Sequence, residues 1–378
     1  MSPDFEDYRS QFPVIKKYVY LNHAAISAPS LRAAEAFSNI SNQFSYYGIK
    51  GYDGWMKRVE EVRGLFAGLI NAHPAEIAFV GNTSEGLGYV AEGIRWMEGD
   101  EVLIPVPEFP SNVYPWLNLE RKGVKTTFIR RCNGRFRVND IEKAISPKVR
   151  LISVSYVDFM FGFRCDLEAI GDLCRRKGIL LCVDAIQGLG IIPLDVKKCG
   201  IHFLATGGYK WLMSAMGIGG LYISSEAKEI IHPVFVGWKS MLKDEDFFGI
   251  EFDVKPNALG FEPGNMNIAG ICALGAAIEL IDEVGINNIR ERVFAINNLF
   301  LEGLQKRNFQ IVTSMDRDDR SGILSFLPHS DPNPLYSYLT TKNILVALRN
   351  NIIRISPHFY NNERDIENFM NALDDYSG

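Results

Sequence analysis

The chain has 378 residues, 47% of them apolar, 22% charged and 12% aromatic, with a formal net charge of −5. These proportions exclude collagenous, disordered and disulfide-scaffold classes, and the length suits two domains or one large α/β layer with a smaller appendage. Acidic residues outnumber basic ones by 45 to 40 and no basic arm or polybasic helix is present, so the expected partner is a small molecule and not nucleic acid.

In chain order, short apolar runs bounded by turn residues predict strands near residues 77–80, 101–105, 126–129, 150–155, 179–183, 202–205 and 220–223. Apolar residues at three- and four-residue intervals predict helices between them, over 83–96, 113–122, 138–144 and 167–177. Strands apolar on both faces and alternating with helices imply an α/β fold with a mostly parallel central sheet covered on both sides. After about Gly260 the character changes to two long helices (268–283 and 286–305), short strands (310–312, 323–326 and 352–356) and a closing helix near 363–373. The expected organisation is a large α/β domain over residues 20–260 and a small α+β domain formed by 1–19 and 261–378. A ligand is expected in the cleft between them, at the carboxyl ends of the parallel strands.

Six cysteines (Cys132, Cys165, Cys174, Cys182, Cys199 and Cys272) are irregularly spaced, with no Cys-x-x-Cys. Neither a disulfide framework nor a metal site is expected. The acidic N-terminal segment has no apolar centre, and no apolar run approaches the ~20 residues of a membrane span, so no membrane association is expected and the cytoplasm is the expected compartment.

Three stretches carry chemistry. Gly81-Asn82-Thr83-Ser84-Glu85-Gly86 follows a predicted strand and opens a helix, where free N–H groups and the positive dipole end suit a phosphate. Simple helix capping by Thr83 or Ser84 is the equal alternative. Five apolar residues then run into Asp184, a carboxylate at a strand end whose burial is costly unless a cation such as a protonated heterocyclic nitrogen faces it; capping of the following turn is the alternative. Gln187 follows, placed to donate to a ring oxygen. In Gly207-Gly208-Tyr209-Lys210-Trp211 a lysine sits between aromatics directly after a strand, where desolvation lowers its pKa and suits it to imine formation. A phosphate-type helix start, a buried aspartate and a lysine 26 residues later together describe a pyridoxal phosphate site.

The chain resembles the class V aminotransferase family of fold type I pyridoxal-phosphate enzymes, which includes cysteine desulfurases, selenocysteine lyases, kynureninase and isopenicillin N epimerase. The resemblance is carried by Tyr20-Leu21-Asn22-His23-Ala24-Ala25, Asn82-Thr83-Ser84-Glu85-Gly86, Glu108-Phe109-Pro110-Ser111-Asn112, Val183-Asp184-Ala185-Ile186-Gln187, Gly208-Tyr209-Lys210-Trp211, Phe261-Glu262-Pro263-Gly264-Asn265 and Arg354-Ile355-Ser356-Pro357-His358. It implies pyridoxal 5′-phosphate as cofactor and Lys210 as the Schiff-base lysine. Thr83, Ser84 and Tyr209 would contact the phosphate, Phe109 would stack on the ring, Asp184 would face the ring nitrogen and Gln187 the phenolate oxygen. Asn265 would reach the phosphate of a neighbouring subunit, which implies a homodimer with a shared active site. Arg354 would grip the α-carboxylate of an amino-acid substrate, with an internal ion pair as the alternative, and His23 is a weaker candidate for the substrate pocket.

Class V aminotransferase chemistry is the leading expectation. A cysteine or selenocysteine lyase, or an epimerase, is the alternative. Desulfurases of the family use a cysteine on a loop of the small domain, whereas here the last cysteine is Cys272, in a predicted helix. Asp158 stands near where relatives place Asn or Gln, and an ionised carboxylate cannot donate. It would reposition a proton, bind an amino group or face away from the site.

Overall fold

A computed structural model describes residues 3–131 and 134–376. The chain opens with α1 (Phe5–Arg9), β1 (Val19–Tyr20), α2 (Leu31–Tyr47) and α3 (Tyr52–Leu69). Then come β2 (Ile77–Val80), α4 (Thr83–Gly93), β3 (Glu101–Val106), α5 (Tyr114–Leu117), β4 (Lys125–Arg130), α6 (Val138–Ala144), β5 (Val149–Ser155), α7 (Leu167–Lys177), β6 (Leu180–Asp184), β7 (Phe203–Gly207) and β8 (Gly219–Ile223). The remainder holds α8 (Ile268–Val284), α9 (Ile286–Lys306), β9 (Gln310–Ile311), β10 (Leu324–Leu327), α10 (Pro332–Thr341), β11 (Ile344–Leu345), β12 (Ala347–Arg349), β13 (Ile352–Ile355) and α11 (Glu363–Asp374).

The large sheet has strand order β2-β8-β7-β6-β5-β3-β4. From β7 to β4 all pairings are parallel, and only β8 runs against its neighbours β7 and β2. Strands β6, β7 and β8 are buried throughout, which is why they read as unbroken apolar runs. One face packs under α3, α7 and α8, with Phe66, Leu181, Leu204 and Ile278 among its contacts, and the other under α4 and Trp116. Where α4 crosses β7, a Cβ on Gly86 would stand 2.9 Å from that of Ala205, so this glycine sets how closely the helix lies on the sheet.

The predicted strands all form. The helix expected to reach residue 96 stops at Gly93, where a side chain would strike the His232 carbonyl at 2.6 Å. The helix expected over 113–122 forms as α5 followed by a 3₁₀ turn that ends at left-handed Gly123.

The small unit is a four-stranded antiparallel sheet, β12-β13-β10-β9, under α9, α10 and α11, with Phe300, Phe326, Ile353 and Phe369 in its core. Helix α8, expected to open this unit, instead packs on α2 and α3 and shares the core of the large sheet. The passage between the units therefore lies within α9, whose first turns contact the large core and whose last turns contact the small one. The first three turns of α8 are apolar all round, so they carry no periodicity that says which core takes the helix. Among the described residues no helix is long and apolar enough to cross a membrane.

Candidate active site

The carboxyl ends of β5, β6 and β7 bring the principal side chains together. Register pairs Ser155 with Asp184 and Asp184 with Ala205, three positions before Gly208. Asp184 is buried and accepts one hydrogen bond, from the Ile186 amide to Oδ1 at 3.0 Å. Burial pushes its carboxyl up to about 6, opposed by that amide and by Lys210. Lys210 leaves the turn after β7 with its amine buried, held 5.4 Å from the Phe109 ring centre and 5.8 Å from that of Tyr209. Desolvation lowers the amine to about 8, against the attraction of Asp184. The pressure on this lysine that its aromatic setting implies is thus present in the fold.

The phosphate-type turn has a specific local geometry. Asn82 is the residue that caps α4, its side chain accepting from the Glu85 amide at 3.0 Å, while Glu85 turns back to the Gly81 amide at 2.8 Å. Neither Thr83 nor Ser84 is spent on capping. Thr83 Oγ1 is buried without a hydrogen-bond partner, whereas Ser84 Oγ meets Ser111 Oγ at 2.7 Å on the exposed side. A buried hydroxyl with no partner is costly, and an anion at this helix start would satisfy it. Ser27 and Ser214 carry two further buried, unpartnered hydroxyls on segments that flank the lysine turn, where the Ser27 amide donates to Tyr209 O and the Ser214 amide to Gly208 O.

Around this centre, Phe109 is 39% exposed and meets Phe159 edge-on at 5.3 Å. Tyr209 is half-buried, and burial raises its phenol. Gln187 is already engaged twice: Nε2 donates to Ala24 O at 2.9 Å, and Oε1 accepts from Trp211 Nε1 at 2.9 Å. One amide proton remains for a ligand.

Arg354 on β13 is 2% exposed and forms no ion pair with any described acid. Its Nη1 donates to Phe159 O, its Nε is unpartnered, and desolvation with repulsion from Arg349 lowers the guanidinium to about 10. The internal ion pair weighed as its alternative does not form.

His23 does not offer itself to a substrate. Its Nδ1 donates to Ser356 O at 2.7 Å, which leaves Nε2 to accept from Tyr360 Oη at 2.7 Å, so both nitrogens are spent on the protein. Desolvation and His358 hold it well below the ordinary histidine range, as a neutral packing residue between the N-terminal segment and β13. Both oxygens of Asp158 are likewise spent on the protein, on Arg131 at 2.6 Å and on the amides of Met160 and Phe161. Its neighbour Phe159 is the residue beside Phe109. Asn265 is exposed, at the end of a turn pinned by buried Glu262, which pairs with Arg63 at 2.6 Å and accepts from the Phe79 amide.

Buried Glu108 and Arg131 were not singled out in the sequence. Burial raises the Glu108 carboxyl to about 7, with Arg131 opposing. A glutamate directly beyond an apolar strand is a signal of the kind that exposed Asp184. Nothing local marks Arg131, which follows a second arginine at the end of an edge strand.

The sequence profile of the family described as aminotransferase class-V matches residues 31–369. The chain belongs to this family. Like the family, it is a pyridoxal-phosphate enzyme of fold type I. It is 29% identical to a probable cysteine desulfurase of Methanothermobacter thermautotrophicus over 99% of this chain and 98% of the relative. Among solved structures it is similar to a cysteine desulfurase of Thermococcus onnurineus, with TM-score 0.90 and 26% identity over 99% of this chain and 98% of that one. It also shares the fold of a cystine C–S lyase, C-DES, solved with its reaction product cysteine persulfide, with TM-score 0.91 and 22% identity over 97% of this chain and 100% of that one. The residues at these strand ends fit the cofactor: an unpartnered hydroxyl at a helix start for the phosphate, a buried carboxylate for a ring cation and a desolvated amine for the aldehyde.

Proposed function

We propose that this enzyme is a carbon–sulfur lyase acting on a sulfur-bearing α-amino acid, and that it releases the sulfur to solution and not to a cysteine of its own. The carrying observation concerns the thiols. Cys165, Cys174, Cys182, Cys199 and Cys272 are all buried and burial raises every one of them, with Cys174 and Cys199 pushed up to about 12. Such thiols are poor nucleophiles. Cys132 lies outside the described residues, and no cysteine follows Cys272, which is inside α8. The names of the relatives favour C–S chemistry over the aminotransferase expectation, for which no feature of the site speaks specifically.

Bound pyridoxal phosphate supplies an electron sink that stabilises negative charge at the substrate Cα. Asp184 would keep the ring nitrogen protonated, Thr83 and the start of α4 would hold the phosphate, and Phe109 would cover a ring face. Arg354 grips the substrate carboxylate through its planar fork, which fixes the Cα–H bond relative to Lys210. Lys210 Nζ, with its affinity for protons reduced by burial, takes the Cα proton and can deliver it to the departing sulfur. With cysteine the balance is cysteine plus water giving pyruvate, ammonia and hydrogen sulfide.

A homodimer completes the proposal. Exposed Asn265 lies next to the turn of Trp238, whose ring meets Phe247 at 5.7 Å, and Phe248, Ile250 and Phe252 beyond it are 80–99% exposed. An exposed apolar surface of this kind suits a protein contact, and a second copy seated there would bring Asn265 to a neighbouring phosphate. Light scattering on the purified protein checks the dimer.

The reaction is tested by incubating the loaded enzyme with cysteine or cystine and no keto-acid acceptor. Sulfide or persulfide together with pyruvate and ammonia supports the lyase. A keto acid formed only when an acceptor is added overturns it in favour of transamination. Alanine with sulfur retained on an enzyme thiol overturns release to solution.

A further inference from the structure

Behind Phe109 lies a buried charge network. Arg131 follows β4 with its side chain wholly enclosed, and its guanidinium meets two carboxylates: Nη1 donates to Asp158 Oδ2 at 2.6 Å and Nη2 to Glu108 Oε2 at 3.2 Å. Glu108 directly precedes Phe109. It also accepts from the Phe109 amide at 2.7 Å and from Ser155 Oγ at 2.9 Å, at the end of β5 beside Asp184. Asp158 Oδ1 accepts from the amides of Met160 and Phe161, which shapes the turn between them.

That turn touches two side chains of the candidate site. The Phe159 ring stands against Phe109, and the Phe159 carbonyl accepts from Arg354. The small sheet holds the same turn, Ser325 Oγ donating to Met160 O at 2.6 Å and Ser321 Oγ to Gly162 O at 2.9 Å. Taking three charges out of water is expensive, and replacing such a cluster with apolar residues is often neutral or stabilising. The cluster is therefore poorly explained by stability alone. Its charges face one another, so Arg131 is not placed to touch substrate.

We propose that Arg131 is a positioning residue for substrate binding: by bridging Glu108 to Asp158 it locks the turn that carries Phe109 to the turn that holds Arg354, so that the aromatic over the cofactor and the guanidinium for the carboxylate keep one relative placement. This rests on the reading of Arg354 as the carboxylate site. The network spans the junction of the two units, so the small sheet carries Arg354 into register with the cofactor through a buried, directional contact.

Asp158→Asn is the sharpest variant. Its amide oxygen can still accept from Met160 and Phe161, while its NH2 group faces the Arg131 guanidinium, donor against donor. Cofactor-loaded proteins are titrated calorimetrically with 3-mercaptopropionate, a thiol carboxylate with no amine, and the KM and kcat for cysteine and the melting temperature are recorded alongside. Asp158→Asn is expected to weaken 3-mercaptopropionate about tenfold and to raise KM by a similar factor, with kcat within about twofold. Arg131→Lys, which keeps the charge and loses the fork, should fall between wild type and Asp158→Asn. Adding Asp158→Asn to Arg354→Met should raise KM little further, because a positioning residue has no effect once the group it positions is gone. Wild-type affinity in Asp158→Asn, with Arg354→Met impaired, overturns the positioning role and leaves the carboxylate reading standing. Full additivity in the double variant overturns it as well, and is what a merely structural role gives. Unchanged binding in Arg354→Met overturns the carboxylate reading and the proposal with it. If Asp158→Asn does not fold, Arg131→Lys carries the same comparison.

Discussion

Replacing Arg354 with methionine separates function from stability, because the two effects have opposite signs. The guanidinium is 2% exposed, meets no described acid within ion-pair distance, and is lowered by burial from the ordinary arginine range to about 10. At about 1.4 kcal/mol per factor of ten, this corresponds to about 3 kcal/mol by which the buried cation disfavours the folded state. The sign follows from the direction of the shift. A base with a lowered folded pKa imposes its full cost at neutral pH, and the cost is relieved only as the pH rises through about 10. Methionine fills much the same volume without the charge, so cofactor-free Arg354→Met should match or exceed wild type in urea unfolding at pH 7, less the cost of the freed Phe159 carbonyl. Binding should move the other way. Two charge-assisted hydrogen bonds to a carboxylate, at about 1.5 kcal/mol each, amount to about 3 kcal/mol, or about a hundredfold in KM. The visible absorption of the loaded enzyme should not change. An unchanged KM, or a stability loss above about 2 kcal/mol, would refute the reasoning by showing that the guanidinium serves the fold.

Three further outcomes follow from the same geometry. In the cofactor-free protein Lys210 is held at about 8, so the rate of its reductive modification should rise to half-maximum near pH 8; a midpoint near 10 would mean the amine is not desolvated. Asp184 is raised to about 6, which makes its ionised form a cost present above pH 6 and relieved as the pH falls through it. Asp184→Asn should therefore stabilise the cofactor-free protein at pH 7 by up to about 3 kcal/mol in urea unfolding while removing most turnover, and a destabilised variant would show that the Ile186 contact dominates. Thr83→Val should leave cofactor-free stability equal or higher, because the hydroxyl it removes has no partner, and should weaken pyridoxal phosphate about tenfold in equilibrium dialysis.

The inner strands of the large sheet were legible because they are buried on both faces and bounded by turns, and Lys210 and Asp184 stood out because charge interrupts an apolar run where burial makes it costly. Thr83 was only half legible. Capping and phosphate binding use the same residue types, and only the structure removes the capping alternative, because Asn82 takes that place. His23 misled for a related reason: its two partners, Ser356 and Tyr360, lie more than 330 positions away. The core that α8 joins was not legible because its first three turns are apolar all round.

By itself, then, the sequence determined the layered sheet and the family, since these depend on local periodicity and on polar residues set against an apolar background. Which polar groups remain unspent was decided only by tertiary structure. Arg354, within β13, and Arg131, just past β4, both have buried side chains; folding leaves the first without an acid and places two carboxylates against the second. A hydrogen-bond partner supplied from a distant segment is a property of packing, and chemistry is left to the groups that packing leaves unpaired.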